Sequence, residues 1–112
     1  MVKPDAQLIA YHALLENARA MLHAAREERW DDLSALDRDR EAHLKLLAEM
    51  DANPDLVSTA PADSELRTSL IQSILECDEQ TQIIVRARHR ELHEVLASMD
   101  NQRKLGDAYL GT

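Results

Sequence analysis

Apolar residues recur at intervals of three and four along the first part of the chain, the spacing that places them on one face of an α-helix. One heptad row is filled at every position by Leu8, Tyr11, Leu15, Ala18, Leu22 and Ala25. Leu14 and Met21 widen this row. Pro4 and Asp5 suit a first helical turn, because proline loses no needed donor there and a carboxylate favours the positive helix end. We therefore predict a first helix over about residues 5–28.

A second helix is predicted over about residues 31–52, with Asp31 or Asp32 as its N-cap. Its buried face is expected to consist of Leu33, Leu36, Leu44, Leu47 and Met50. Pro54 ends the helix, since a proline disfavours helical angles at the residue before it. Residues 53–62 are predicted to form a loop.

A third helix is predicted over about residues 63–105, because residues 62–105 contain neither glycine nor proline. Asp63 or Ser64 is expected to begin it. Its early apolar row is Leu70, Ile74, Cys77, Thr81 and Ile84. The row then slips by one residue to Val85, His89, Leu92, Leu96 and Met99. A straight helix drifts in this direction against a heptad, which favours a bundle helix over a long coiled coil.

The three predicted helices differ in length. At 1.5 Å per residue the third spans roughly 60 Å and each of the first two roughly 30–35 Å, so an up-down-up bundle leaves the end of the third without a companion. That end is still apolar, and an exposed apolar surface of this size usually marks an interface. The predicted interface consists of Ile84, Val85, Leu92, Val95, Leu96 and Met99. We expect this interface to be covered by a second subunit, by the residues after Gly106, or by a client protein.

The composition supports an all-α fold. Hydrophobic residues make up 45% of the 112-residue chain and charged residues 30%, and there are only two glycines and three prolines. We predict one domain over residues 1–112, an antiparallel helical bundle with two shorter helices, one long helix and a short C-terminal tail.

The net charge of −8 disfavours direct contact with nucleic acids or anionic membranes, which both attract cationic surfaces. The single cysteine, Cys77, excludes an internal disulfide and a zinc site built from cysteines. No signal peptide or membrane-spanning run is visible, which predicts a cytoplasmic location. Proteins are therefore the expected partners.

Candidate chemistry is sparse. His89 and His93 are four residues apart, a spacing at which two histidines of a helix can coordinate a metal ion. No third ligand is obvious nearby in the sequence, so we predict no metal site. The segment "RARHR" (residues 86–90) is interpreted as a solvated face, the alternative being docking of an acidic protein partner. "DRDRE" (residues 37–41) is interpreted as surface. No catalytic arrangement stands out, and neither an enzymatic activity nor a cofactor is expected.

Trp30, the only tryptophan, lies between two charged clusters in "REERWDDLSAL" (residues 26–36). This is the turn between the first two predicted helices. A large apolar residue just before an N-cap can fold over the first helical turn and fix the angle of entry. We therefore predict that Trp30 packs at the corner of a helical hairpin, with the neighbouring charges facing solvent.

The segment "RWDDLSALDRDREAHLKLL" and the tail "RKLGDAYLG" resemble the FliT family of flagellar export chaperones. Its members typically show a Gly/Arg-rich approach to a Trp-Asp-x-Leu turn, an acidic helix, a long third helix and a tail reading roughly basic-basic-leucine and then Ala-Tyr-Gly. Arg103, Lys104, Ala108 and Tyr109 stand in matching places of the tail. Leu110 replaces the usual glycine, and almost no fourth helix follows, so a helix covering the client site is expected to be short.

The resemblance implies a function without catalysis. Such proteins hold the filament-cap protein FliD in the cytoplasm and pass it to the export machinery. Some also bind the flagellar master regulator FlhDC and oppose its action, and the export ATPase is a further implied partner. Tyr109 joins the predicted partner-binding set through this resemblance. The expected mechanism is capture of an amphipathic C-terminal client helix on the apolar face shared by helices two and three.

An alternative from another class is a self-associating structural or sensory bundle without an export client. In that case two copies of the chain pair through the apolar surface of helix three to form a homodimer. A metal ion bound by His89 and His93 could be part of such an assembly.

Overall fold

Three helices form the secondary structure of the computed structural model, which describes residues 6–53, 55, 57 and 59–110. They are α1 (Ala6–Arg26), α2 (Trp30–Asp51) and α3 (Pro61–Leu110). The described residues contain no β-strand, so the all-α prediction is confirmed, with two shorter helices and one long helix. Pro4 and Asp5, predicted for the start of the first helix, lie outside the described residues.

The chain divides into two compact units, Met1–Thr81 and Gln82–Thr112. The first contains α1, α2 and the beginning of α3. The described residues of the second belong to the remainder of α3. The assignment of residues 1–112 to a single domain stays a prediction.

The core of the first unit is built from apolar side chains of all three helices. It comprises Leu8, Ala10, Leu14, Leu15, Ala18, Leu47, Leu70 and Ile74, with Tyr11, Met50 and Cys77 packed against it. The first heptad row is therefore buried as predicted, apart from the half-buried Tyr11. In the early row of α3, Leu70, Ile74 and Thr81 are buried, and Cys77 and Ile84 are half-buried. Ala18 has no exposed surface, and a side chain this small lets neighbouring helices approach closely. Each buried leucine contributes about 1.5–3 kcal/mol through the area removed from water.

Polar side chains fix the register of the hairpin formed by α1 and α2. The Gln7 side chain donates a hydrogen bond from Nε2 to Asp51 Oδ1 at 2.6 Å, which joins the beginning of α1 to the end of α2. Halfway along, Asn17 Nδ2 donates to the Leu36 carbonyl oxygen at 2.9 Å. Both donors are buried, and a shifted register would leave them unsatisfied in the core. The two helices are therefore held antiparallel in one alignment.

An ion pair joins α2 to α3. Arg40 Nη1 donates to Asp78 Oδ1 at 2.7 Å, and Nη2 of the same guanidinium contacts Oδ2, so the pair is bidentate. The two side chains are only 17% and 24% exposed. The interpretation of residues 37–41 as plain surface is therefore wrong for Arg40. Its partner lies 38 residues away in the sequence, so no local spacing reveals the pair.

The inward row of α2 also differs from the prediction. Leu47 is buried and Leu33, Leu36 and Met50 are half-buried, but Leu44 is exposed. The row steps in alternating threes and fours through Leu33, Leu36, Arg40, His43, Leu47 and Met50, all of them at least half-buried. Polar residues thus occupy two inward positions, and Leu44 falls on the edge of the row.

The start of α2 lies earlier than predicted. The Leu33 amide donates to the Arg29 carbonyl oxygen at 3.0 Å, which makes Arg29 the N-cap in place of Asp31 or Asp32. No side chain among the described residues forms a cap hydrogen bond there. The two aspartates instead occupy the first turn, where their charge favours the positive helix end.

Glu28 causes this early start, because it adopts the left-handed backbone conformation with φ of 59°. The Arg29 amide then donates back to the Ala24 carbonyl oxygen at 2.9 Å, which closes the end of α1. For a residue with a Cβ atom, this conformation is roughly 1–2 kcal/mol less favourable than the right-handed one, whereas glycine adopts it without this cost.

Replacing Glu28 by glycine is therefore expected to raise the free energy of unfolding by about 1 kcal/mol, measured by urea denaturation. Glu49→Gly is the matched control, because Glu49 is exposed inside α2 and glycine there should lower stability by about 1 kcal/mol. A loss of stability in both variants would contradict the left-handed conformation of Glu28.

Trp30 is half-buried at this corner, as the hairpin prediction requires, although it is the first residue of α2 and not the residue before the cap. Ion pairs surround it: Arg29 contacts Glu27 at 2.8 Å and Asp32 at 2.9 Å. The charged clusters beside the tryptophan therefore pair with one another at the surface of the corner.

Replacing Trp30 by alanine is expected to lower the free energy of unfolding by about 2 kcal/mol, since roughly half of a large side chain's burial is lost. Thermal and urea unfolding followed by circular dichroism measure this change. A loss below about half a kcal/mol would show that the indole contributes little to the corner.

Both ends of α3 extend beyond the prediction. The helix begins at Pro61, and the Ser64 amide donates to the Ala60 carbonyl oxygen at 3.0 Å, so Asp63 and Ser64 lie inside the first turn. Proline at the first helical position loses no needed hydrogen bond. At the other end the helix continues to Leu110, because one glycine, Gly106, costs only about 1 kcal/mol. The predicted tail is therefore helical.

Candidate protein-binding surface

The described part of the second unit is a single helix. Its turns are supported by side-chain pairs at helical spacing: Arg86 Nη2 donates to Gln82 Oε1 at 3.0 Å, and Lys104 Nζ lies 3.2 Å from Asp100 Oδ2. Pairs of this kind add about 0.2–0.5 kcal/mol each to an exposed helix. They hold the backbone that positions the predicted partner-binding residues.

Four predicted residues form one exposed apolar surface, which we call the α3 stripe. Leu92 is 43% exposed, Val95 54%, Leu96 63% and Met99 58%. Their spacing of three, four and seven residues places them on one side of the helix. In the described part of the second unit no other element covers them. An apolar surface left open in this way is suited to binding another protein.

Ile84 and Val85 lie on the same side of α3, eleven residues before Val95 and seven before Leu92. Both are half-buried, so they offer less accessible surface than the α3 stripe. Their role in partner binding stays a prediction.

Tyr109 is 82% exposed in the last turn of the helix. It lies between Val95 and Leu105 around the helix, at the edge of the side that carries the α3 stripe, and its role in partner binding stays a prediction. Leu105 is 60% exposed as well, but its position six residues after Met99 turns it away from the stripe. Exposure alone therefore does not define the surface.

A charged side chain that sequence analysis treated as solvated surface lies beside the α3 stripe. One open depression on the helix is lined by Arg88, Glu91, Leu92, Glu94, Val95 and Ser98. Within it Arg88 Nη1 is 3.6 Å from Glu91 Oε2. The helical positions already separate Arg88 from Arg86 and Arg90, and this separation is the signal that could have placed Arg88 beside the α3 stripe.

The described residues contain no group of three or more His, Cys, Asp or Glu side chains placed to hold a metal ion. His89 and His93 are both exposed. Cys77 is half-buried against the core of the first unit. None of the described helices combines the length and apolarity needed to cross a membrane.

Comparison with known proteins connects the chain to bacterial flagella. A family model described as flagellar protein FliT matches residues 8–111. A curated relative named flagellar protein FliT, from Photorhabdus laumondii, is 26% identical over 102 residues, which cover 91% of this chain and 79% of the relative. No solved structure matches the chain. The matched range includes both the Trp30 turn and the tail around Tyr109.

Proposed function

This chain belongs to the FliT family of flagellar proteins, and from that premise we propose that it is a cytoplasmic export chaperone for the filament-cap protein FliD. The family resemblance predicted from the sequence is confirmed. The family is one of chaperone-type flagellar proteins and is not known as an enzyme family. The observation that carries the proposal within this family is the exposed α3 stripe.

The proposed mechanism is capture of an amphipathic client helix. Such a helix presents apolar residues at intervals of three and four, which match the spacing of Leu92, Leu96 and Met99. Burying a leucine contributes about 1.5–3 kcal/mol, so a few such contacts support affinities near 1 µM. A FliD segment covered in this way is kept from self-association until it is handed to the export machinery. Ile84, Val85 and Tyr109 lengthen the contact.

Two further partners belong to the proposal through the family resemblance: the export ATPase and the master regulator FlhDC. The net charge of −8 supports an action on FlhDC through protein contact, with no direct contact to DNA. The same charge disfavours binding to anionic membranes.

Self-association is the second candidate function, because the same exposed stripe can pair with that of another copy. Sedimentation velocity over a range of concentrations, with and without the FliD C-terminal peptide, separates the two candidates, because it reports both the oligomeric state and whether the client binds. A chaperone with an open client site remains able to bind client as either monomer or homodimer, whereas a purely self-associating bundle loses its stripe to the dimer.

The experiment that tests the proposal is isothermal titration calorimetry of the purified chain with the C-terminal peptide of FliD from the same bacterium. We expect saturable binding with a dissociation constant of about 1 µM. A peptide of equal length with its apolar residues replaced by serine is the control and should not bind. Absence of binding by the native peptide at about 1 mM, or equal binding by the control, would refute the proposal.

A further inference from the structure

The contact between α2 and α3 in the first unit carries two exposed leucines. Leu44 of α2 is 46% exposed and Leu75 of α3 is 60% exposed. Leu44 lies one helical turn after Arg40, the residue of α2 that pairs with α3. Leu75 lies one helical turn before Asp78, the partner of that arginine. Both leucines therefore lie beside the ion pair that joins the two helices.

The direction of the two helices brings these leucines to the same level. The buried Leu47 belongs to the same core cluster as Leu70. Arg40, earlier in α2, pairs with Asp78, later in α3. The two helices therefore run antiparallel here, and one turn forward on α2 corresponds to one turn back on α3.

Both leucines also lie on the outer side of the contact. Around α2, Arg40 lies between the buried Leu47 and the exposed Leu44. Around α3, Asp78 lies in the same way between the buried Ile74 and the exposed Leu75. Since the core occupies the inner side of the ion pair on both helices, the two exposed leucines share the outer side.

Three exposed carboxylates border the two leucines. Asp37 and Glu41 precede Leu44 by seven and three residues, and Glu79 follows Leu75 by four, spacings that keep them on the same side of their helices. Among the residues that the structure describes, none of the three carboxylates has an ion-pair or hydrogen-bond partner. We call the two leucines and these carboxylates the α2–α3 surface.

Few cations are available to neutralise this surface. Residues 30–81 contain four Lys and Arg against thirteen Asp and Glu, a net charge of −9. Arg40 is already bound by Asp78, and Arg38 and Lys45 lie on the far side of α2. An apolar centre with unpaired carboxylates around it repels acidic proteins and attracts basic ones.

We propose that the α2–α3 surface is a second protein-binding site, built from residues other than the α3 stripe, and that its occupant is a basic amphipathic helix of a partner protein. The apolar ridge of that helix covers Leu44 and Leu75, in the manner of a helix bound across two others. Its Lys or Arg side chains pair with the bordering carboxylates, which fix its register and speed association. An acidic helix of the same apolar pattern is rejected by like-charge repulsion.

Fluorescence anisotropy of a labelled model peptide tests this inference. The peptide has about 18 residues, with leucines at intervals of three and four and lysines between them. The protein is the full chain carrying Leu92→Ser and Leu96→Ser, so that the α3 stripe contributes little. At about 50 mM salt we expect a dissociation constant of about 10 µM, rising at least fivefold at about 500 mM salt. A peptide with glutamate in place of lysine should bind at least tenfold more weakly.

Variants of the same protein locate the binding. Leu44→Ser together with Leu75→Ser should weaken it at least tenfold, because two apolar contacts are lost. Glu41→Lys should weaken it at least fivefold at about 50 mM salt. Asp39→Lys is the matched control: Asp39 is exposed two residues earlier on the opposite side of α2, so this change should alter the affinity less than about twofold.

Each of several results would overturn the inference. No binding of the lysine peptide at about 1 mM, or equal binding of both peptides, would do so. Unchanged binding after loss of the two leucines, or an equal loss in Glu41→Lys and Asp39→Lys, would do so as well. If the serine variant of Leu44 and Leu75 lowers the sedimentation coefficient of the protein alone, a second copy of the chain is the occupant. None of these results alters the proposed FliD binding, which rests on the α3 stripe.

Discussion

Replacing Leu92 and Leu96 together by aspartate is expected to abolish detectable binding of the FliD C-terminal peptide without changing the helix content of the free protein. Both side chains are already exposed, so the new carboxylates face water when no client is bound. In the complex they would have to be desolvated against an apolar ridge, and the contacts of two leucines are lost as well. The affinity should fall at least a hundredfold, about 2.7 kcal/mol.

Leu105→Asp is the matched control for this prediction, because Leu105 is as exposed as Leu96 and lies on the same helix, but away from the α3 stripe. We expect it to change the affinity less than about twofold. Circular dichroism verifies the fold of both variants and calorimetry measures the binding. If all variants bind like the wild type, the client lies elsewhere. If the double variant loses only dimerisation, self-association is the function of the stripe.

Arg40→Ala is expected to lower the free energy of unfolding by about 2–3 kcal/mol, the largest stability effect that we predict for a charged residue. Removing the guanidinium leaves the half-buried carboxylate of Asp78 without the partner that now binds both of its oxygens. Arg38→Ala, a change of the same kind at an exposed site of α2, should cost less than half a kcal/mol. Urea denaturation of both variants measures the difference.

A double-mutant cycle with Asp78→Ala separates the ion pair from other effects. The double variant should be more stable than the sum of the single losses implies, because neither charge is then left alone. Strict additivity of the two losses would mean that the pair contributes no coupling energy between α2 and α3.

Regular apolar spacing made most of the fold predictable. In α1 the heptad row is filled by apolar residues throughout, so periodicity located the buried face from Leu8 to Ala25, although it could not show that the polar Gln7 and Asn17 are buried as well. In α2 the inward positions of Arg40 and His43 are polar, and a hydrophobic pattern cannot show that a guanidinium is half-buried against a partner on another helix. The left-handed backbone of Glu28 was equally hidden, because a glutamate carries no signal for that conformation.

The candidate surface was predictable as far as its apolar residues were. Helical spacing alone placed Leu92, Val95, Leu96 and Met99 on one side of α3, and the structure shows these four exposed. The helical position of Tyr109 was not predicted, because the helix was expected to end near residue 105, with a short tail after it. Because α3 continues to Leu110, Tyr109 lies in its last turn.

Methyl NMR of the labelled protein titrated with the FliD C-terminal peptide tests most directly whether a client helix binds on the α3 stripe. At 12.7 kDa the chain is small enough that we expect resolved methyl signals of leucine, valine, isoleucine and methionine. We predict that the signals of Leu92, Val95, Leu96 and Met99 shift in proportion to the bound fraction, while those of the core residues Leu14 and Leu15 do not. Saturable shifts confined to the first unit, with the stripe unchanged, would contradict the claim.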